Sequence, residues 1–155
     1  MSEENEAVVR RVQEEIINGK NMDLVDELLG SNYIWHGPGG QDVGKEIYEM
    51  YLSAFPDLKS KVEEMFSAGD KVISRMVSEG THRGDLPGIP ATGKYVTGIT
   101  AIFISRVENG QIVEEWESFD ELGMMKQIGA VDDLNPSKIE DSDATWKLPS
   151  PNRRL

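Results

Sequence analysis

No cysteine occurs among the 155 residues, which excludes disulfides, thiolate metal ligation and a cysteine nucleophile. Histidine is almost as scarce: the two present, His36 and His82, stand in no HxH, HxxxH or comparable ligand spacing. A metal centre is therefore not expected. Apolar runs extend only a few residues, too short for a membrane span. The acidic start Met1-Ser2-Glu3-Glu4-Asn5-Glu6 lacks the apolar stretch of a secretory leader, so the cytoplasm is the expected compartment. Cations are the minority, 16 Lys and Arg against 28 Asp and Glu, for a formal charge of -12. Nucleic acids and anionic membrane surfaces need clustered positive charge, so both are disfavoured as partners. Small neutral or weakly polar ligands remain open. The glycines follow none of the phosphate-loop, dinucleotide or nucleophile-elbow spacings.

What is present reads as helices first and strands afterwards. Val8, Val9, Val12, Ile16 and Ile17 recur at helical spacing and stop at Asn18-Gly19,. Asp23 has the character of an N-cap for a short helix burying Leu24, Val25, Leu28 and Leu29,. Tyr33-Ile34-Trp35-His36 is a brief strand, turned by Gly37-Pro38-Gly39-Gly40,. A third helix carries Val43, Ile47, Tyr48, Tyr51, Leu52 and Phe55, and Pro56 ends it,. Strand patterns follow over 58–66, 71–82, 95–106 and 112–119, the last two joined by the hairpin signal Asn109-Gly110,. Residues 121–128 suit a last helical turn or two. Residues 1–130 thus predict one α+β domain, a curved, mostly antiparallel sheet wrapped around N-terminal helices. Residues 131–155 read as an extended acidic tail, which we expect to pack across a neighbouring protomer.

A sheet bent around helices leaves a conical hollow, and such apolar hollows bind ligands. On an uninterrupted last strand, Ile112, Glu114, Trp116, Ser118 and Asp120 share one face,. An apolar wall beside the Asp120 carboxyl would raise its proton affinity and suit it to general acid–base work. Its other reading is an N-cap for the segment beginning Glu121-Leu122-Gly123. His82 shares parity with Gly80, Ser78, Met76 and Ser74, small or flexible neighbours that leave space for a ligand. It is either an acid–base group or the holder of the glycine- and proline-rich loop over 84–93. His36, between Trp35 and the Gly-Pro-Gly-Gly turn, is a pocket residue or a turn cap.

The order of these pieces resembles the SnoaL-like polyketide cyclase family, within the nuclear transport factor two-like superfold (a cystatin-like α+β barrel). The resemblance runs from about Glu6 to Ala130. It is carried by Asn18-Gly19-Lys20-Asn21-Met22-Asp23, Trp35-His36, Phe55-Pro56-Asp57-Leu58, Gly69-Asp70-Lys71-Val72, the Gly80–Lys94 loop, Arg106 through Glu114, and Trp116 through Gly129. It implies a cofactor-free acid/base enzyme that closes a ring by intramolecular aldol chemistry on a small apolar or aromatic ligand, with no bound cofactor. Asp120 matches the family's acid/base aspartate, and His82 and His36 match its histidines. Trp116, Met76, Tyr51, Phe103 and Trp35 would supply the pocket walls. Glu115 departs from the pattern, standing where many members carry histidine. An isomerase, dehydratase or hydroxylase on the same fold, or a non-catalytic binding or dimerisation module, are the other readings. A homodimer is expected, because Ile and Val side chains line the outer sheet face.

Overall fold

The computed structural model describes residues 2–131; the expectations for the tail beyond Val131 fall outside them. Helix α1, Ser2–Arg11, opens with Glu3 and Glu4 and closes with Arg10 and Arg11, charges that complement the helix dipole at both ends,. It runs on into a wider π-helical segment, Val12–Asn18, whose register shows in the Gly19 N–H bonding the Glu14 carbonyl at 2.9 Å. Val9, Val12 and Ile16 face the core, as their spacing predicts. Gly19 is required at the exit, because a Cβ there would lie 2.5 Å from the Glu15 carbonyl oxygen. Asn18 then fastens the segment to the sheet, donating to the Ser60 carbonyl at 2.9 Å and accepting from the Ser60 N–H at 2.8 Å.

The helix after it is shorter than its sequence suggests. A 3-10 turn, Met22–Leu24, leads into α2, Val25–Leu28. Asp23 lies inside that turn and caps nothing, since the extra turn moves the helix start past it. Helix α3, Glu46–Ala54, buries Ile47, Tyr48 and Ala54. It begins three residues after Val43, which the sheet takes instead.

Six strands form one mixed sheet: β1 Leu29–Gly37, β2 Gln41–Val43, β3 Lys59–Ala68, β4 Lys71–Thr81, β5 Tyr95–Glu108 and β6 Gln111–Phe119, in the order β2-β1-β6-β5-β4-β3. The β3–β6 meander is antiparallel as expected, with Asn109 (φ 51°) and Gly110 (φ 78°) making its tight last turn,. Strand β1 is longer than the Tyr33–His36 run and pairs with β6 in parallel. The triplet Gln41-Asp42-Val43 of β2 is too short to show alternation and is a strand only by pairing with β1. Register slips interrupt the β3–β4, β4–β5 and β5–β6 ladders, and such bulges bend and twist a sheet,. The curved sheet stays open and holds the core between its concave face and the helices.

One of these slips decides which side chains of β6 face the helices. Arg106 pairs with Glu114 while Val107 pairs with Ile112, leaving Val113 as an extra residue in β6. Alternation therefore changes phase at Val113. Ile112 is buried before it, and Glu115 after it. The face predicted for an uninterrupted strand is inverted over the half that matters.

Helix α4, Glu121–Ile128, starts at Asp120, whose Oδ1 accepts from the Gly123 N–H at 2.9 Å. Gly129, at φ 79°, ends it. Loss of such a cap costs about 1 kcal/mol, so Asp120→Ala should lower the urea unfolding free energy by about that amount.

Candidate functional site

A cavity of about 130 Å³ lies between the concave sheet face and the helices. Its walls are mainly aromatic and aliphatic: Trp35, Tyr51, Phe55, Phe103 and Phe119 among them. Trp35 meets Tyr51 edge-on at 6.4 Å, and Tyr51 meets Phe119 in the same manner at 6.4 Å. Three acidic residues line it: Glu79 from β4, and Glu115 and Glu117 of β6, which the bulge at Val113 turns inward.

Glu115 is 2% exposed and accepts three hydrogen bonds. The Tyr33 hydroxyl donates at 2.6 Å, the Tyr48 hydroxyl at 2.9 Å and the Ser105 hydroxyl, its cross-strand partner, at 2.6 Å. Burial pushes the Glu115 carboxyl up, and these donors pull against it,. The Tyr33 and Tyr48 phenols are held far above their ordinary range, first by burial and then by the Glu115 charge. Glu115 is thus a fixed, fully partnered acceptor.

Glu117, two residues on, differs. It lines the cavity and accepts one hydrogen bond, from the Trp35 indole N–H at 2.9 Å. Burial, reinforced by the Glu115 charge, pushes its carboxyl up to about 8, against the pull of that indole. A carboxylate with such proton affinity is a far stronger base than an ordinary one and titrates near neutrality.

Stability carries the same signature. A carboxyl whose folded proton affinity is raised stabilises the fold fully below its unfolded value, and that contribution fades as pH rises through the folded one. Between pH 4.5, the ordinary value, and about 8, Tm should therefore fall by more than it does in Glu117→Gln, measured by calorimetry in both proteins.

The structure brings Tyr51, Phe103 and Trp35 to the cavity wall together. Trp116 lies on the opposite, convex face, stacked on His36 at 5.3 Å with the Lys71 ammonium 5.6 Å from its ring centroid. Met76 is buried at 1% exposure and receives the Ser60 hydroxyl at 3.6 Å, outside the cavity lining. Asp120 is exposed and occupied at the α4 cap. His36 bridges two carboxylates on the convex side, Asp42 at 2.7 Å and Glu114 at 2.8 Å, and both hold its proton more tightly than usual.

His82 is fully buried just past β4. Its Nδ1 accepts from the Thr92 N–H at 3.3 Å with the Thr92 hydroxyl at 3.1 Å, while its backbone pairs with Gly93 and Lys94. The ring packs against Phe55 at 5.3 Å. It holds the base of the 84–93 loop, which folds back through a Leu86–Ile89 bridge. Tyr33, Tyr48, Ser105 and Glu117 were not singled out by the sequence reading. Their only advance signal was the departure at Glu115, a carboxyl at a position where the resemblance leads one to expect histidine.

An open, curved α+β sheet with helices across its concave face and an apolar hollow between them is the nuclear transport factor two-like fold. The family model of SnoaL-like polyketide cyclases matches residues 7–128. The chain belongs to that family. It is 30% identical over 132 residues to the aklanonic acid methyl ester cyclase DnrD of Streptomyces peucetius, covering 79% of this chain and 88% of that one. The corresponding DauD of Streptomyces sp. (strain C5) is 29% identical over 132 residues, covering 79% and 80%. Among solved structures, IdmH of Streptomyces antibioticus superposes with a TM-score of 0.68 at 28% identity, over 81% of this chain and 98% of that one.

Proposed function

We propose that this protein is a cofactor-independent acid/base enzyme that closes a ring by an intramolecular aldol-type reaction on a small, largely apolar carbonyl compound. The observation that carries this is Glu117: a carboxyl facing an aromatic cavity, with its proton affinity raised towards the working pH,. In ionised form Glu117 takes a proton from the carbon between two carbonyls. The resulting enolate carbon attacks a second carbonyl of the same molecule and forms the C–C bond. Glu117 then returns its proton to the alkoxide oxygen, so the product is an isomer of the substrate. Glu115, locked by three hydroxyls, supplies the fixed negative charge that keeps Glu117 basic. Trp35 orients the Glu117 carboxyl, and the aromatic walls hold the reacting carbons together. In this reading Asp120, His82 and His36 act through structure: a helix cap, a loop anchor and a clamp on β2.

The named activity of the DnrD and DauD relatives supplies a probe. Aklanonic acid methyl ester, incubated with the protein, should give a product of unchanged mass and altered chromatographic retention. The initial rate should rise with pH and level off above about 8. A wild-type rate no greater than the buffer background would remove this substrate class from consideration.

We propose further that the protein works as a homodimer joined through its convex sheet face. A continuous cross-strand row, Phe66, Ile73, Ile104, Trp116 and His36, crosses that face. Phe66 is 59% exposed, and Ile102 beside the row is 50% exposed, a grouping that a partner surface would cover. Sedimentation should show a dimer that Ile104→Asp converts to monomer; a monomeric wild type would refute the assembly.

A further inference from the structure

The cavity has a second polar end that the proton-transfer chemistry does not use. Gln13, on the π-helical segment, is 6% exposed, yet its amide makes no hydrogen bond to another described residue. The sealed side-chain atoms without a partner among the described residues are Ser74 Oγ and His82 Nε2. The Gln13 amide is not one of them, because it borders open space: it lines the cavity and also a wide polar groove that adjoins it. Glu117 lines the cavity but not the groove, whereas Gln13 and Glu79 line both, so Glu117 and Gln13 mark different ends of the site. The neighbouring hydroxyls are already engaged, Ser78 donating to Ser60 at 3.1 Å and Ser60 to the Met76 sulfur.

A polar side chain that faces a cavity with no partner among the described residues keeps its hydrogen-bonding capacity for whatever occupies that cavity,. The π-helical register around Gln13 is itself an uncommon geometry that concentrates at functional sites. An uncharged amide offers both a donor and an acceptor, and so suits a neutral oxygen rather than an ion.

We infer that Gln13 is a specificity-determining residue that hydrogen-bonds a second, neutral oxygen function, a hydroxyl or carbonyl, at the groove end of the bound ligand. The preferred ligand is then a compact aromatic framework with oxygen functions at both ends, one on Glu117 and one on Gln13. The inference rests on the reading of this cavity as the ligand site.

Calorimetric titration with 1-naphthol and 1,5-dihydroxynaphthalene tests it. The wild type should bind the diol about 10-fold more tightly than the mono-ol, the worth of one good neutral hydrogen bond. Gln13→Leu should bring that ratio near one while leaving 1-naphthol affinity within about 2-fold, and its Tm should stay close to that of the wild type, since the amide makes no bond to another described residue,. An unchanged ratio in Gln13→Leu, or a wild type that does not distinguish the probes, overturns the assignment. So does a Gln13→Leu protein with a lowered Tm, which would mark the amide as structural. Glu117→Gln, titrated alongside, should retain the Gln13-dependent ratio even if it turns over normally, a result that would sink the catalytic reading and spare this one. Failure of both probes to bind the wild type would sink both.

Discussion

Glu117→Gln should lower kcat by about 10²–10⁴-fold, the usual worth of a positioned acid–base group, with KM little changed. Glutamine keeps the size of the side chain and can still face the Trp35 indole, which donates to Glu117 at 2.9 Å. What it removes is the proton carrier alone. The pH dependence should disappear with the rate, since the group titrating at about 8 is the one replaced. Asp120→Asn provides the contrast: an asparagine can still cap α4, so its turnover should stay within a few-fold of the wild type. Steady-state rates on a substrate the wild type accepts decide between the carboxyls. A large loss in Asp120→Asn with normal turnover in Glu117→Gln would reverse the assignment.

The largest effect on stability should come from Glu115→Leu. That change leaves the hydroxyls of Tyr33, Tyr48 and Ser105 in the interior without their shared acceptor. Each buried group so abandoned costs about 1–3 kcal/mol. Allowing for partial relaxation, the total should reach about 3–5 kcal/mol, the lower part of the sum for three such groups. Against a typical total of about 5–15 kcal/mol, that leaves a marginal protein. Tyr33→Phe removes one donor and keeps the acceptor, so it should cost only about 1 kcal/mol. Urea unfolding of the two variants measures the difference. Equal costs would mean that the hydroxyl network does not act through Glu115.

Much of this architecture could be read from residue patterns. The 3.6-residue spacing of Val9, Val12 and Ile16, the Asn109-Gly110 turn, and the Asp120 and Gly129 ends of α4 are local signals with local causes. Strand β2 was invisible because three residues, with Val43 alone apolar, become a strand only through their neighbour. The site was harder for a sharper reason. Alternation places Trp116 with Asp120 and Glu115 with Glu117, but it cannot say which pair faces the hollow if the count of residues changes midway. Val113 makes that change. Nothing in Val113 itself distinguishes a bulged valine from a paired one; the slip follows from how β5 and β6 register across their whole length. Trp35, Tyr51 and Phe103 line the cavity from elements other than β6, out of reach of that slip.

The decisive measurement is the titration of the Glu117 side-chain carboxyl, followed by its carbon-13 chemical shift and assigned by comparison with Glu117→Gln. A midpoint near 8 would match a carboxyl held in an apolar cavity beside Glu115. A midpoint in the ordinary range around 4.5 would mean that the group is ionised throughout the working range, and the proton-transfer chemistry assigned to it would have no basis.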